Sequence, residues 1–178
     1  MEQLWAPWRM AYIARESSSE EEGCFLCAKL AGHDDAANLI LARGKRCFVI
    51  MNLFPYNSGH LMIAPTEHVP TIGHLDAPTL TELMTLAQRC LGALGASLRP
   101  DGYNMGINQG KVAGAGLEEH VHFHIVPRWN GDTNFMPVLG DVKVMPELLE
   151  NTYRKIRAAL DPLMTTPAGP PRRTRRAT

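Results

Sequence analysis

Three histidines alternate with apolar residues in "HVHFHIVPRW", residues 120–129. No other stretch of the chain limits its fold so tightly. In an extended strand successive side chains point to opposite faces and each residue advances about 3.3 Å. His120, His122 and His124 then share one face over roughly 13 Å. Val121, Phe123 and Ile125 share the other, where they can bury in a core. The expectation is a half-buried strand with a row of imidazoles on its open side. Only 7 histidines occur in the 178 residues, so three in five positions is a concentration that asks for a chemical reason.

That strand needs a body to pack on. A chain of this length forms one domain with a substantial core. A hydrophobic fraction of 45% and a charged fraction of 20% suit a globular protein in water. Eighteen basic and eighteen acidic residues cancel, which argues against nucleic acid or an anionic membrane as a partner. No apolar run approaches the roughly 18 residues of a membrane-spanning helix. "MEQLWAPWRMAYI" lacks the apolar stretch of a signal peptide. The expectation is a cytoplasmic protein with reduced cysteines.

The remaining elements follow from periodicity. Trp5, Trp8 and Tyr12 make an aromatic N-terminal arm, expected to pack on the body or a partner subunit. "CFLCAKLAG" reads as a short helix closed by Gly32. "NLILARGKRCFVIMNL" reads as two strands about a turn at 43–45, and "HLMIAP" as a third strand. Pro78 opens the clearest helix, with Leu80, Leu83, Met84, Ala87, Cys90, Leu91 and Leu94 on one buried face. "GYNMGIN" is a strand, "QGKVAGAGL" a glycine-rich loop, and a last helix is expected over 146–160. The fold class is α+β: an antiparallel sheet with a long helix and a C-terminal helix. A single domain over 1–160 and a disordered Pro- and Arg-rich tail over 161–178 complete the organisation. Cys47 and Cys90 sit in apolar surroundings and read as small core residues.

Three readings compete for the histidine row. One is a strand whose exposed face happens to carry imidazoles. Another is a metal held by all three, although the row is long for one ion. The third is catalysis at phosphorus. Imidazole is a competent nucleophile near neutral pH because much of it is unprotonated there. A covalent phosphoramidate divides one difficult displacement into two.

"HVHFHIVP" resembles the His-x-His-x-His signature of the histidine triad (HIT) superfamily. "MNLFPYNSGHLMIAPTEH", "DGYNMGINQGKVAGAG", "PRWNGDTNFMPV" and the opening "LWAPWRMAYI" are similar to its diadenosine tetraphosphate phosphorylase and hydrolase branch. The resemblance covers about residues 4 to 160. It implies a HIT-like fold and a nucleotide phosphoanhydride-cleaving enzyme, with diadenosine tetraphosphate or a related dinucleoside polyphosphate as substrate. His122 matches the nucleophile that attacks the α-phosphorus. His124 matches the third triad position. Asn52 matches the residue that hydrogen-bonds the ribose, His60 a histidine near the triad, and Asn108 a phosphate-contacting residue. Gly114 and Gly116 match the loop whose backbone N–H groups approach an anion. The pattern departs at Ala115-Gly116, where many members carry Gly-Gln, so Gly116 offers only backbone donors. Water or inorganic phosphate as acceptor stays open, and a nucleotide-binding sensor with little turnover is the alternative. A homodimer is typical of the family.

Cys24 and Cys27 have the Cys-x-x-Cys spacing that suits zinc when two further ligands exist. The competing reading is a helix start with two small buried residues. Zinc-containing relatives complete such a site with residues that match His68 and His120. The resemblance therefore implies a structural zinc on Cys24, Cys27, His68 and His120, with His120 withdrawn from the reaction.

Overall fold

The computed structural model describes residues 23–132 and 147–165. Its centre is a five-stranded antiparallel sheet in the order β1-β2-β3-β5-β4. The strands are β1 (Ile40–Arg43), β2 (Cys47–Met51), β3 (Leu61–Pro65), β4 (Gly102–Ile107) and β5 (Phe123–Arg128). Helices are α1 (Phe25–Ala31), α2 (Ala77–Ser97) and α3 (Leu149–Thr165), with short 3-10 turns at Ile72–His74 and Lys111–Ala113. The expected α+β class and element order hold.

Register decides what each sheet face carries. Directly opposite residues of antiparallel strands point the same way. Met51 pairs with Leu61, Leu61 with Ile125, and Val49 with Ile63. These residues share a face with Cys47, whose Sγ lies 3.7 Å from the Thr79 carbonyl of α2. That face is therefore the helix face. Phe48, Ile50, Met62 and Ala64 point the other way, together with His124, which pairs with Met62. β2 and β3 are buried on both faces, so they read as unbroken apolar runs. Cys47 and Cys90 lie in the core, and burial pushes both thiols up to about 12. They are inert packing groups at neutral pH.

α2 begins where the sequence says it should. Asp76 is the N-cap, accepting from the Thr79 backbone N–H at 2.9 Å, and Pro78 occupies the first turn. Its buried stripe is Thr79, Leu83, Leu86, Ala87, Cys90, Ala93 and Leu94. Leu80 and Leu91 are only half-buried, and Met84 is 50% exposed. The helix packs on both the sheet and α3, which turns the stripe toward Leu86 and Ala93. Sequence period alone does not fix that rotation.

α3 starts at Leu149 and runs to Thr165, later at both ends than expected. Tyr153 Oη donates to the Ile40 carbonyl at 2.8 Å, and Arg157 Nη1 reaches the same oxygen at 3.2 Å. Leu163 packs on the core and Arg89 donates to Met164 Sδ at 3.8 Å. This packing carries the helix through Pro162 and into the stretch expected to be tail. The aromatic arm and the remainder of that tail lie outside the described residues.

A candidate active centre beside a metal-ligand cluster

The histidine strand is shorter and more enclosed than expected. β5 begins at Phe123, so His122 lies just before it and His120 at the end of the preceding bend. The row is buried: His120 is 0%, His122 6% and His124 9% exposed. The rings enclose one another. His122 and His124 make a T-shaped pair with centroids 4.7 Å apart, and His124 and His60 lie 5.1 Å apart. Tyr56 stacks on His124 with its centroid at 5.9 Å.

Hydrogen bonds assign a tautomer to each imidazole, because backbone groups have fixed roles. His122 Nδ1 lies 2.8 Å from the His120 carbonyl oxygen, which can only accept. Nδ1 therefore carries the hydrogen and the lone pair sits on Nε2. Burial holds the His122 pKa below its ordinary value, although the bond to His120 opposes the shift. A neutral imidazole with a lone pair on Nε2 is a nucleophile in its reactive form.

His60 and His124 form a relay. The Tyr56 backbone N–H donates to His60 Nδ1 at 3.0 Å. His60 Nε2 then carries hydrogen and donates to His124 Nδ1 at 2.9 Å. Neutral His124 consequently carries its hydrogen on Nε2. His60 is fully buried. Its Nε2 meets His124 Nδ1, so it lies against that ring, within the histidine cluster where the substrate contact is expected.

Asn52 sits in the same cluster. Its Oδ1 accepts from the Phe54 N–H at 3.0 Å, and its Nδ2 lies 3.3 Å from His60 Nδ1. Asn108 directly follows β4 and donates from Nδ2 to the Gly114 carbonyl at 3.3 Å. Gly114 adopts the left-handed conformation (φ 82°) that closes the 3-10 turn of the loop. Gly116 is half-buried in the bend that follows. Asn52, His60, His122 and His124 thus converge, with Asn108 and Gly114 joined at the end of β4. Sequence reasoning missed Tyr56. An aromatic residue within "FPYNSGH", four positions before a histidine, was the available signal.

The other end of the row is a set of side chains that could hold a metal ion. One donor atom from each of Cys24, Cys27, His68 and His120 lies within 4.8 Å of all the others. Cys24 is the N-cap of α1 and Cys27 lies in its first turn, so i,i+3 spacing presents both sulfurs together. The Val121 N–H donates to the Val69 carbonyl at 2.8 Å, stitching the segment after β3 to the lead-in of β5. That stitch brings His68 beside His120, with ring centroids 5.1 Å apart. Cys24 Sγ lies 3.2 Å from His120 Nδ1, and Cys27 Sγ lies 3.4 Å from His68 Nδ1 and 3.5 Å from His120 Nδ1. Bonds of about 2.3 Å to sulfur and 2.0 Å to nitrogen give tetrahedral sulfur–nitrogen edges of roughly 3.5 Å, so the donors fit one ion. His120 Nε2 donates to the Pro65 carbonyl at 2.9 Å, which frees Nδ1 to face the sulfurs.

The HIT domain family model matches residues 34–131. The chain belongs to the HIT family, and it is an enzyme of that family's nucleotide hydrolase and phosphorylase class. It is 38% identical to an AP-4-A phosphorylase of Mycobacterium tuberculosis over 86% of this chain and 82% of the relative. A bis(5'-adenosyl)-triphosphatase of Dictyostelium discoideum is 37% identical over 46% of this chain and 54% of its own length. Among solved structures, a zinc-bound histidine triad family protein from Mycobacterium smegmatis is 28% identical with a TM-score of 0.65, covering 80% and 96% of the two chains. No described helix is long and apolar enough to cross a membrane.

Proposed function

We propose that this enzyme cleaves dinucleoside polyphosphates, with diadenosine tetraphosphate as the favoured substrate and inorganic phosphate as the acceptor. The observation that carries the reading is the Nδ1–H bond from His122 to the His120 carbonyl. It leaves the Nε2 lone pair for attack on the α-phosphorus. The new P–N bond forms as the bond from the α-phosphorus to the bridging oxygen breaks. ATP departs, and the His124 Nε2–H stands to donate to that oxygen. An oxygen of inorganic phosphate then displaces His122 from phosphorus, so that the P–N bond breaks and ADP forms. The 38% identity to an AP-4-A phosphorylase supports phosphate over water.

Asn52 is assigned to the ribose, and Asn108, Gly114 and Gly116 to the phosphate oxygens. Zinc is the metal that suits two thiols and two imidazoles, and the zinc-bound relative supports that choice. When bound it supplies a structural cross-link, since four protein ligands leave no open position. Cys24, Cys27, His68 and His120 would hold it. A homodimer in the cytoplasm completes the reading.

Product analysis on diadenosine tetraphosphate tests it. ADP plus ATP, formed only with inorganic phosphate, is the expected result. AMP plus ATP without phosphate would make water the acceptor. Saturable binding without products would make the chain a nucleotide sensor.

A further inference from the structure

β4 carries a glycine that the fold itself does not require. Gly106 pairs directly with His124, and the register of β4 on β5 runs unbroken from Gly102 to Ile107. A glycine inside a strand weakens it and usually marks a bulge or the close approach of another group. No bulge interrupts this pairing. Gly106 is not among the described glycines with positive φ, so its backbone accepts any L residue. A Cβ built there meets nothing within 4 Å, so packing against the described residues does not demand glycine either. What Gly106 leaves, among the described residues, is room.

That room has a definite position. His124 lies between Met62 on β3 and Gly106 on β4, and all three point to the same face. Directly opposite Cα atoms are about 5 Å apart. The gap is therefore next to the imidazole that carries its hydrogen on Nε2. Asn104, on the same face of β4, and Asn108, just past the strand's end, flank it two residues either side. Asn104 Oδ1 is held by Arg128 Nη1 at 2.8 Å, and Asn108 by Gly114. The walls of the gap are thus fixed, while its floor lacks a side chain.

We propose that Gly106 is a specificity-determining position. Its missing side chain opens a slot beside His124 for a leaving group that continues beyond the α-phosphorus, namely a nucleoside polyphosphate. A β-branched side chain would close the slot without touching the nucleotide half that His122 attacks. The inference rests on the proposed attack by His122 with His124 facing the leaving group.

The test compares Gly106→Val, Gly106→Ala and Gly102→Val with the unaltered enzyme. Gly102 is the control. It lies on the same strand face, also with nothing within 4 Å of an added Cβ, but opposite Arg128 and about 13 Å along the strand. Two quantities are read: kcat/KM on diadenosine tetraphosphate with phosphate, and the Kd for AMP, which has nothing beyond the α-phosphate. Gly106→Val is expected to lower kcat/KM by about 30-fold, the scale of a steric misfit of one side chain, with the Kd for AMP within about threefold. Gly106→Ala should show a smaller loss of the same kind, and Gly102→Val neither change. If Gly106→Val does not fold, Gly106→Ala decides on the same two readings. An undiminished kcat/KM in a folded Gly106 variant overturns the slot, as does an AMP affinity that falls in step with turnover. An unaltered enzyme inert on dinucleoside polyphosphates overturns the proposed function and the slot with it. An active one with an indifferent Gly106 overturns the slot alone.

Discussion

His120 and His122 are two residues apart on one segment, yet the structure gives them opposite tautomers. His120 donates from Nε2 to the Pro65 carbonyl, so its Nδ1 lone pair faces two cysteine sulfurs. His122 donates from Nδ1 to the His120 carbonyl, so its lone pair lies on Nε2. Identical side chains acquire different chemistry because each is anchored to a backbone oxygen through a different nitrogen. His120 is also the joint between the two regions. Its imidazole belongs to the candidate ligand cluster and its carbonyl fixes the tautomer of the proposed nucleophile. A candidate ligand site and a proposed reaction centre can therefore share one short segment without sharing a function.

The sharpest way to break this comparison is His122→Ala. Loss of the proposed nucleophile should lower kcat on diadenosine tetraphosphate by at least about 10³-fold, while metal content should stay as in the unaltered protein. A variant that retains more than a tenth of the rate, or loses metal along with it, would merge the two regions again. Steady-state kinetics and metal analysis of the same preparation decide.

Cys24→Ser tests the other region. The unaltered protein should contain about one zinc per chain, and the variant should lose it. Thermal unfolding should move down by about 10 °C, equivalent to roughly 3 kcal/mol in a chain of this size. The large apolar core keeps the loss below that of a domain folded by zinc alone. Unchanged metal content in Cys24→Ser would remove the ligand assignment.

The smallest effect sharpens the comparison within the reaction centre. Asn52→Ala should raise KM several-fold and change kcat less, because a ribose contact acts in ground and transition states alike. Asn52 also touches the His60 relay through Nδ2. A collapsed kcat at constant KM would assign Asn52 to that relay and take it from the ribose.

Much of this was legible in the residues. The alternation at 120–124 marked the triad, and Cys24-x-x-Cys27 marked a ligand pair. Period-3.6 spacing found α2, and Pro78 marked its start. Other features were not legible for identifiable reasons. Met84 fits the helical period but faces outward, because period gives a stripe and neighbouring elements set its rotation. β5 starts three residues later than the alternation suggests, since Val121 bonds to Val69 in place of a strand ladder. His60 matches a residue near the triad in sequence, but its full burial and its bond to His124 Nδ1 come only from the fold.

By itself the sequence determined which chemistry is available: imidazoles on one face, two thiols at helical spacing, and apolar runs that must pair as strands. Those properties are local, set by side-chain identity and the periods of helix and strand. Tertiary structure alone decided which nitrogen of each imidazole carries hydrogen, which histidine is buried behind which, and where the sheet has a gap. Each depends on a partner far along the chain: Pro65 for His120, His60 for His124, Gly106 beside His124. A tautomer is fixed by the group opposite the ring, and only the folded chain brings that group there.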